Sequence, residues 1–178
     1  AEVNGMAWHF FRSIRALCAV KRYFRVSCVL AMVCGLLISP VFADSPTLSA
    51  QAVQQLLDAA LKKAAAINVP VAVTVVDTGG NMAGFIRMEG TRLHGIHTSY
   101  SKAYSAVSLG RPSHQSGIPS AIERQIQSAT GGKFVSIPGG LPITVSGRVV
   151  GAIGVSGGNG DQDVAVAQAA LDALARQR

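Results

Sequence analysis

The run VAVTVVDTGGNMAGFIRM at residues 71–88 decides the fold. Its first six residues are apolar and largely β-branched, which reads as a buried strand over Val71–Val76. Asp77-Thr78-Gly79-Gly80-Asn81 is turn chemistry, and Met82 to Met88 returns as a second strand, so the stretch predicts a β-hairpin. Upstream, Leu48, Ala52, Val53, Leu56, Leu57, Ala60, Leu61 and Ala64 recur at helical spacing, with Asn68 and Pro70 as the stop. Downstream, Gly90–Gly95 reads as a loop and Ile96–Val107 as a helix rich in Ser and Ala. Ile118–Ser128 is a shorter helix that Pro119 starts.

The glycine-rich run 131–140 predicts a strand and turn. Leu141–Val145 and Val149–Val155 form a second hairpin about Ser146-Gly147-Arg148, and Asp161 is placed as the cap of a last amphipathic helix through Leu174. Strands joined by hairpins give a largely antiparallel sheet, and helices packed on it make an α+β domain.

The chain has 178 residues, 49% of them hydrophobic and 14% charged, which excludes a disordered protein. Much of the apolar content lies in Val26–Ala43, a nearly uncharged stretch preceded by Arg12, Arg15, Lys21, Arg22 and Arg25 and ending Val41-Phe42-Ala43. A positive region, an apolar run and small residues at a cleavage position predict a secretory signal peptide over residues 1–43, or a membrane anchor if it is retained. The domain is then 44–178, exported to a periplasmic or external space.

Residues 1–43 hold five of the 16 basic groups and one of the nine acidic ones, leaving 44–178 at a net +3. No basic block remains that would track nucleic acid. All three cysteines, at 18, 28 and 34, precede the domain, so disulfides, thiol chemistry and Cys-based zinc sites are excluded from it.

The leading chemical candidates are His94 and His97, beside the helix that carries Tyr100, Lys102, Tyr104 and Ser105. Spacing of three can set two imidazoles on one helical face as metal or axial haem ligands; solvated histidines at a helix start give the same pattern. Ser99-x-x-Lys102 matches the start of serine acyl-enzyme motifs, but their partner motifs are missing. Gly151, Gly154 and Gly157 imitate a nucleotide loop, yet Asp161 and Asp163 would repel a phosphate at the helix that follows. Asp77 fits an Asx turn, and Arg87, Met88, Glu89 and Arg92 border the end of the second strand.

Four ordered motifs carry a family resemblance: VTVVDTGGNMAGFIRMEG at 73–90, SKAYSA at 101–106, PGGLPI at 138–143 and GRVVGAIGVSGGNGDQD at 147–163. Together they resemble the GlcG/HbpS family, the haem-degrading or DUF336 family also found as the C-terminal domain of PduO-type proteins. The resemblance spans about residues 47–176. It implies a profilin-like α+β domain with a five-stranded antiparallel sheet flanked by helices, assembled as a homo-oligomer from dimer to octamer. It also implies haem association, with haem or iron sensing or slow haem degradation in exported members. Lys102 and Ser105 fall on the motif helix expected to line the ligand pocket, where Ser105 replaces the usual Thr; Glu89 replaces the usual Asp. The two histidines lie in a stretch for which the family does not vouch, but imidazole is a far better iron ligand than a hydroxyl.

The expectation is therefore an exported haem-binding protein. His97 ligates iron with His94 in reserve, Lys102 or Arg92 faces a propionate, and the apolar sheet face with Tyr104 and Ser105 holds the porphyrin. One alternative is a binder of, or enzyme for, a small hydroxy-acid-type metabolite held by Lys102, Ser101 and Arg92. Another is an extracytoplasmic oligomer that docks on a sensor protein.

Overall fold

The computed structural model describes residues 47–176, so the signal-peptide expectation over 1–43 lies outside the described residues. By internal contacts residues 45–178 form one compact unit, so this piece carries a complete core of its own.

The elements run α1 (Ala50–Ala66), β1 (Ala72–Asp77), β2 (Met82–Arg87), α2 (Gly95–Leu109), α3 (Ser120–Ala129), β3 (Gly140–Val145), β4 (Arg148–Ser156) and α4 (Gly160–Ala175). The strands form one antiparallel sheet in the order β2-β1-β4-β3. This is the predicted α+β architecture with four strands rather than five among the described residues.

The missing strand is the segment around 133–137, which is irregular and pairs with no strand. Side chains take its backbone groups instead. Ser105 Oγ accepts from Val135 N at 2.8 Å, Thr130 Oγ1 accepts from Phe134 N at 3.2 Å, and Ser113 Oγ donates to the Ile137 carbonyl at 2.6 Å. Buried Phe134 pins the segment.

Alternation along the strands divides the sheet into two unlike faces. Val71, Val73 and Val75 with Ile153 and Val155 pack against Leu56, Leu57, Ala60 and Ala64 of α1 and Val166, Ala167, Ala170 and Leu174 of α4, which makes the main core. On the opposite face Val76 and Ala152 meet Ala103 and Ala106 of α2.

The glycines of the second hairpin explain the small residues of α2. A methyl carbon at Gly140 would run into the carbonyl of Lys102, and one at Gly154 into the carbonyl of Ser99. The helix backbone thus lies directly on β3 and β4, and only Ser and Ala fit beneath it. Its buried hydroxyls are all partnered: Ser99 with Thr74 at 2.8 Å and Ser105 with the Ser101 carbonyl at 2.9 Å.

Boundaries follow local chemistry. Ser49 caps α1 through Ala52 N. The cap of α4 is Asn159, in a reciprocal capping box with Gln162, rather than the expected Asp161; both Asp161 and Asp163 sit in the first turn. Ser146 and Gly147 both adopt positive φ, +50° and +76°, the two-residue turn that matches strand twist.

Candidate functional site

Helix α2 opens at Gly95, so His94 precedes its first residue and His97 sits in its first turn. Both imidazoles are exposed, and among the described residues neither has a hydrogen-bond partner. Their lone pairs are free to ligate. His97, Tyr100 and Tyr104 follow at three and seven residues along one side of the helix turned from the sheet-facing Ser99 and Ala103. The tyrosine rings lie 6.2 Å apart, Tyr100 donates to the Gly80 carbonyl at 3.0 Å, and Tyr104 packs on Gly80. Leu93, next to His94 in the chain, is 76% exposed, an apolar side chain left to solvent.

The other predicted residues fare differently. Lys102 is buried rather than pocket-facing: Nζ donates to Asp163 Oδ2 at 2.6 Å and to the Val155 carbonyl at 2.8 Å. Asp163 Oδ1 in turn accepts from Gly158 N at 2.9 Å. The ammonium therefore staples α2 to the first turn of α4 and has no role left for a propionate or a substrate anion. Ser105 is likewise buried and spent on Ser101 and Val135. Ser99 and Lys102 are not brought together, since the hydroxyl serves Thr74 and the Ile96 carbonyl.

Arg92 is exposed and lines a cleft of about 550 Å³ with Asn68, Pro70, Gly90, Gly158 and Asn159. Neither histidine lines that cleft. The glycine loop in it uses its own donors: Gly158 N goes to Asp163, Asn159 N to Gln162 and Gln162 N to Asn159. The loop's N–H groups at 158 and 159 are thus already taken, and Asp161 and Asp163 sit in the helix turn that follows.

Two carboxylates are held in their charged forms. Asp77 Oδ1 accepts from Gly79 N and Asn81 N, both at 2.9 Å, which is the predicted Asx turn. The Asn81 side chain and its backbone N–H, with a lesser part from Gly79 N–H, hold the carboxyl below the usual range against an opposing effect of burial. Glu123 of α3 escaped sequence reading. It accepts from Ser116 and, at 2.6 Å, from Ser136, and these hydroxyls lower its pKa.

Because α3 buries none of its residues, this carboxylate is a main tie between that helix and the domain. Its folded-state pKa is depressed, so the stabilisation is full above the unfolded value of 4.5 and is lost as pH falls through the lower folded value. Amide exchange across residues 116–136 is expected to rise below about pH 4 while that of β1 and β4 stays slow. An unchanged profile in Glu123→Gln would show that the carboxylate does not hold α3.

Iron in a porphyrin needs only an axial donor from the protein. Among the described residues no group of three or more His, Cys, Asp or Glu gathers to hold a bare metal ion. A free imidazole on a helix side with an exposed leucine and a tyrosine meets the lesser demand, so these residues fit haem.

Comparison with known proteins follows the same line. The profile of the family described as "Haem degrading protein HbpS-like" matches residues 48–172. The chain is 37% identical over 129 residues to an uncharacterised 15.0 kDa protein of Citrobacter freundii encoded between dhaT and dhaS, covering 71% of this chain and 91% of that one. Klebsiella pneumoniae ORFY has a similar structure at TM-score 0.68 and 36% identity, covering 78% of this chain and 97% of its own. PduOC, solved as a haem complex, superposes at TM-score 0.65 with 31% identity, covering 72% and 95%. With the family profile matched over residues 48–172 and relatives of similar length, the chain belongs to the HbpS-like, or GlcG/HbpS, family.

Proposed function

We propose that this protein binds haem at the first turn of α2, with His97 as the axial ligand and His94 in reserve. The observation that carries the reading is the likeness to PduOC, a protein of this fold solved with haem, joined to a free imidazole on an exposed helix. Tyr104 and Leu93 flank the macrocycle, and Arg92, two residues before His94, is the cation for a propionate in place of Lys102. Bound haem supplies a redox-active iron. The chain's own residues hold it, orient it and neutralise its carboxylates. Haem or iron sensing and slow haem degradation are the roles this reading serves, in a homo-oligomer that the sequence of residues 1–43 is proposed to direct to export.

The test is the absorption spectrum of the haem-loaded domain. His97→Ala is expected to abolish the ligated Soret band and weaken binding at least ~tenfold, with His94→Ala close to wild type. A spectrum indifferent to His97→Ala would remove it as the ligand. A second reading is favoured by the cleft that Arg92 shares with Asn68 and Asn159, polar groups suited to a small hydroxy acid. It predicts that such an acid raises the melting temperature of wild type and not of Arg92→Ala, whatever happens to haem.

A further inference from the structure

Two loops border the outward side of helix α2. On one flank Gly80 of the first hairpin turn meets the helix. Its carbonyl takes the Tyr100 hydroxyl, and a methyl carbon at this position would come within 2.9 Å of the Tyr104 ring. On the other flank the segment after α3 runs alongside. Ser101 donates to the Gly132 carbonyl at 3.5 Å, and Ser105 accepts from Val135 N at 2.8 Å. Ser101 is four residues on from His97, so it lies about 6 Å farther along the same side of the helix. The chain at Gly132 therefore borders the turn next to the imidazole, and Lys133 is the residue that follows.

That loop is held in place. Gly131 N donates to the Ser128 carbonyl at 3.1 Å, Gly132 N to the Gln127 carbonyl at 2.8 Å and Lys133 N to the Thr130 carbonyl at 3.4 Å. Positive φ at both glycines, +61° and +80°, turns the chain back from α3 towards α2. A methyl carbon at either glycine would meet nothing within 4 Å, so the rim they form is low and open. Lys133 is exposed at that rim. Among the described residues the one ion pair is Lys102 with Asp163, so the Lys133 ammonium has no carboxylate partner there.

We infer that Lys133 is a binding residue of the α2 site, the cation for the second propionate of the macrocycle, with Arg92 on the first. The inference rests on the haem reading above. Haem carries two carboxylates. The domain presents one guanidinium just before α2 and one ammonium beside its second turn, a partner for each. The pair also sets what the site prefers. Few apolar side chains border it, namely Leu93, Tyr100 and Tyr104, so charge is what separates an acidic porphyrin from a neutral flat ring of the same size. Contacts of this kind, open to water, are worth a few-fold in affinity and are screened by salt.

The test compares the affinity of residues 45–178 for haem and for haem dimethyl ester, in which both carboxylates are neutral. Lys133→Glu is expected to weaken haem binding about three- to tenfold at low ionic strength and less at high salt. Lys133→Arg should bind as wild type does. With the ester, Lys133→Glu and wild type should be equal, and the Soret position of haem-loaded Lys133→Glu should be that of wild type because the iron ligand is untouched. Lys62→Glu makes the same charge change on α1, across the sheet from α2, and should leave haem affinity unchanged. Equal haem affinity in Lys133→Glu and wild type, with ligation still lost in His97→Ala, would overturn the role of Lys133 and leave the haem site standing. Equal weakening of haem and ester, or an equal loss in Lys62→Glu, would overturn it as an effect on the loop or on net charge. Haem binding indifferent to His97→Ala would instead remove the site itself, and the role of Lys133 with it.

Discussion

Asp163→Ala is expected to destabilise the domain by about 3–5 kcal/mol, because it leaves the Lys102 ammonium buried with a single carbonyl partner. Lys102 is 4% exposed and Asp163 2%, so water cannot replace the lost ion. The loss is double-sided, since the same carboxylate also holds Gly158 N at the entry to α4. Lys102→Met should cost a similar amount by stranding the carboxylate. The pair is nonetheless weak evidence for net stability, as desolvating two charges offsets most of their attraction. Lys102→Met with Asp163→Leu should therefore recover most of the loss of either single variant. Chemical denaturation of the four proteins checks this. Single variants that each cost under ~1 kcal/mol would mean that the pair behaves like a solvated surface bridge. Haem affinity of the double variant is expected to match wild type, because Lys102 is a staple and not a ligand group.

Gly154→Ala is the second large effect. A methyl carbon there would strike the Ser99 carbonyl and come within 2.6 Å of Ala103 N and 3.0 Å of Ala103 Cβ. These are mostly backbone atoms of a helix already seated on the sheet, so no rotamer change relieves them. Overpacking costs about 1–3 kcal/mol where side chains can shift; here helix α2 itself must lift, and ~3 kcal/mol or more is expected. The melting temperature should fall by about 10 °C or more. Gly147→Ala in the turn meets nothing within 4 Å and is strained only by its φ of +76°, so it should cost about 1 kcal/mol. A calorimetric scan that ranks the two the other way would contradict the close helix–sheet approach.

Both effects show what was legible in the sequence. The hairpins were, because Val71–Met88 and Leu141–Val155 carry alternation, β-branching and turn residues within a few positions of one another. The helices were, through spacing and capping residues. The fifth strand was misread because residues 133–137 have strand-like composition, while the groups that occupy their backbone, Ser105, Ser113 and Thr130, lie outside the segment or face it from another element. Lys102 was misplaced for the same kind of reason. Its partner lies 61 positions away, and a lysine on a motif helix gives no local sign that it is buried. Asp163 was read as a helix-dipole residue, which it is by position; its second role needs three dimensions. Glu123 and its serines are separated by seven and 13 residues and leave no pattern at all. His94 and His97 stand out on chemistry alone, and the fold leaves both free.

The most direct measurement is a haem titration of residues 45–178, following the Soret band, with His97→Ala in parallel. Saturation near one haem per chain, lost in the variant, is the predicted result. Unsaturable binding that is the same in both proteins would contradict a haem site on α2 and leave porphyrin as a molecule that merely adheres to an apolar surface.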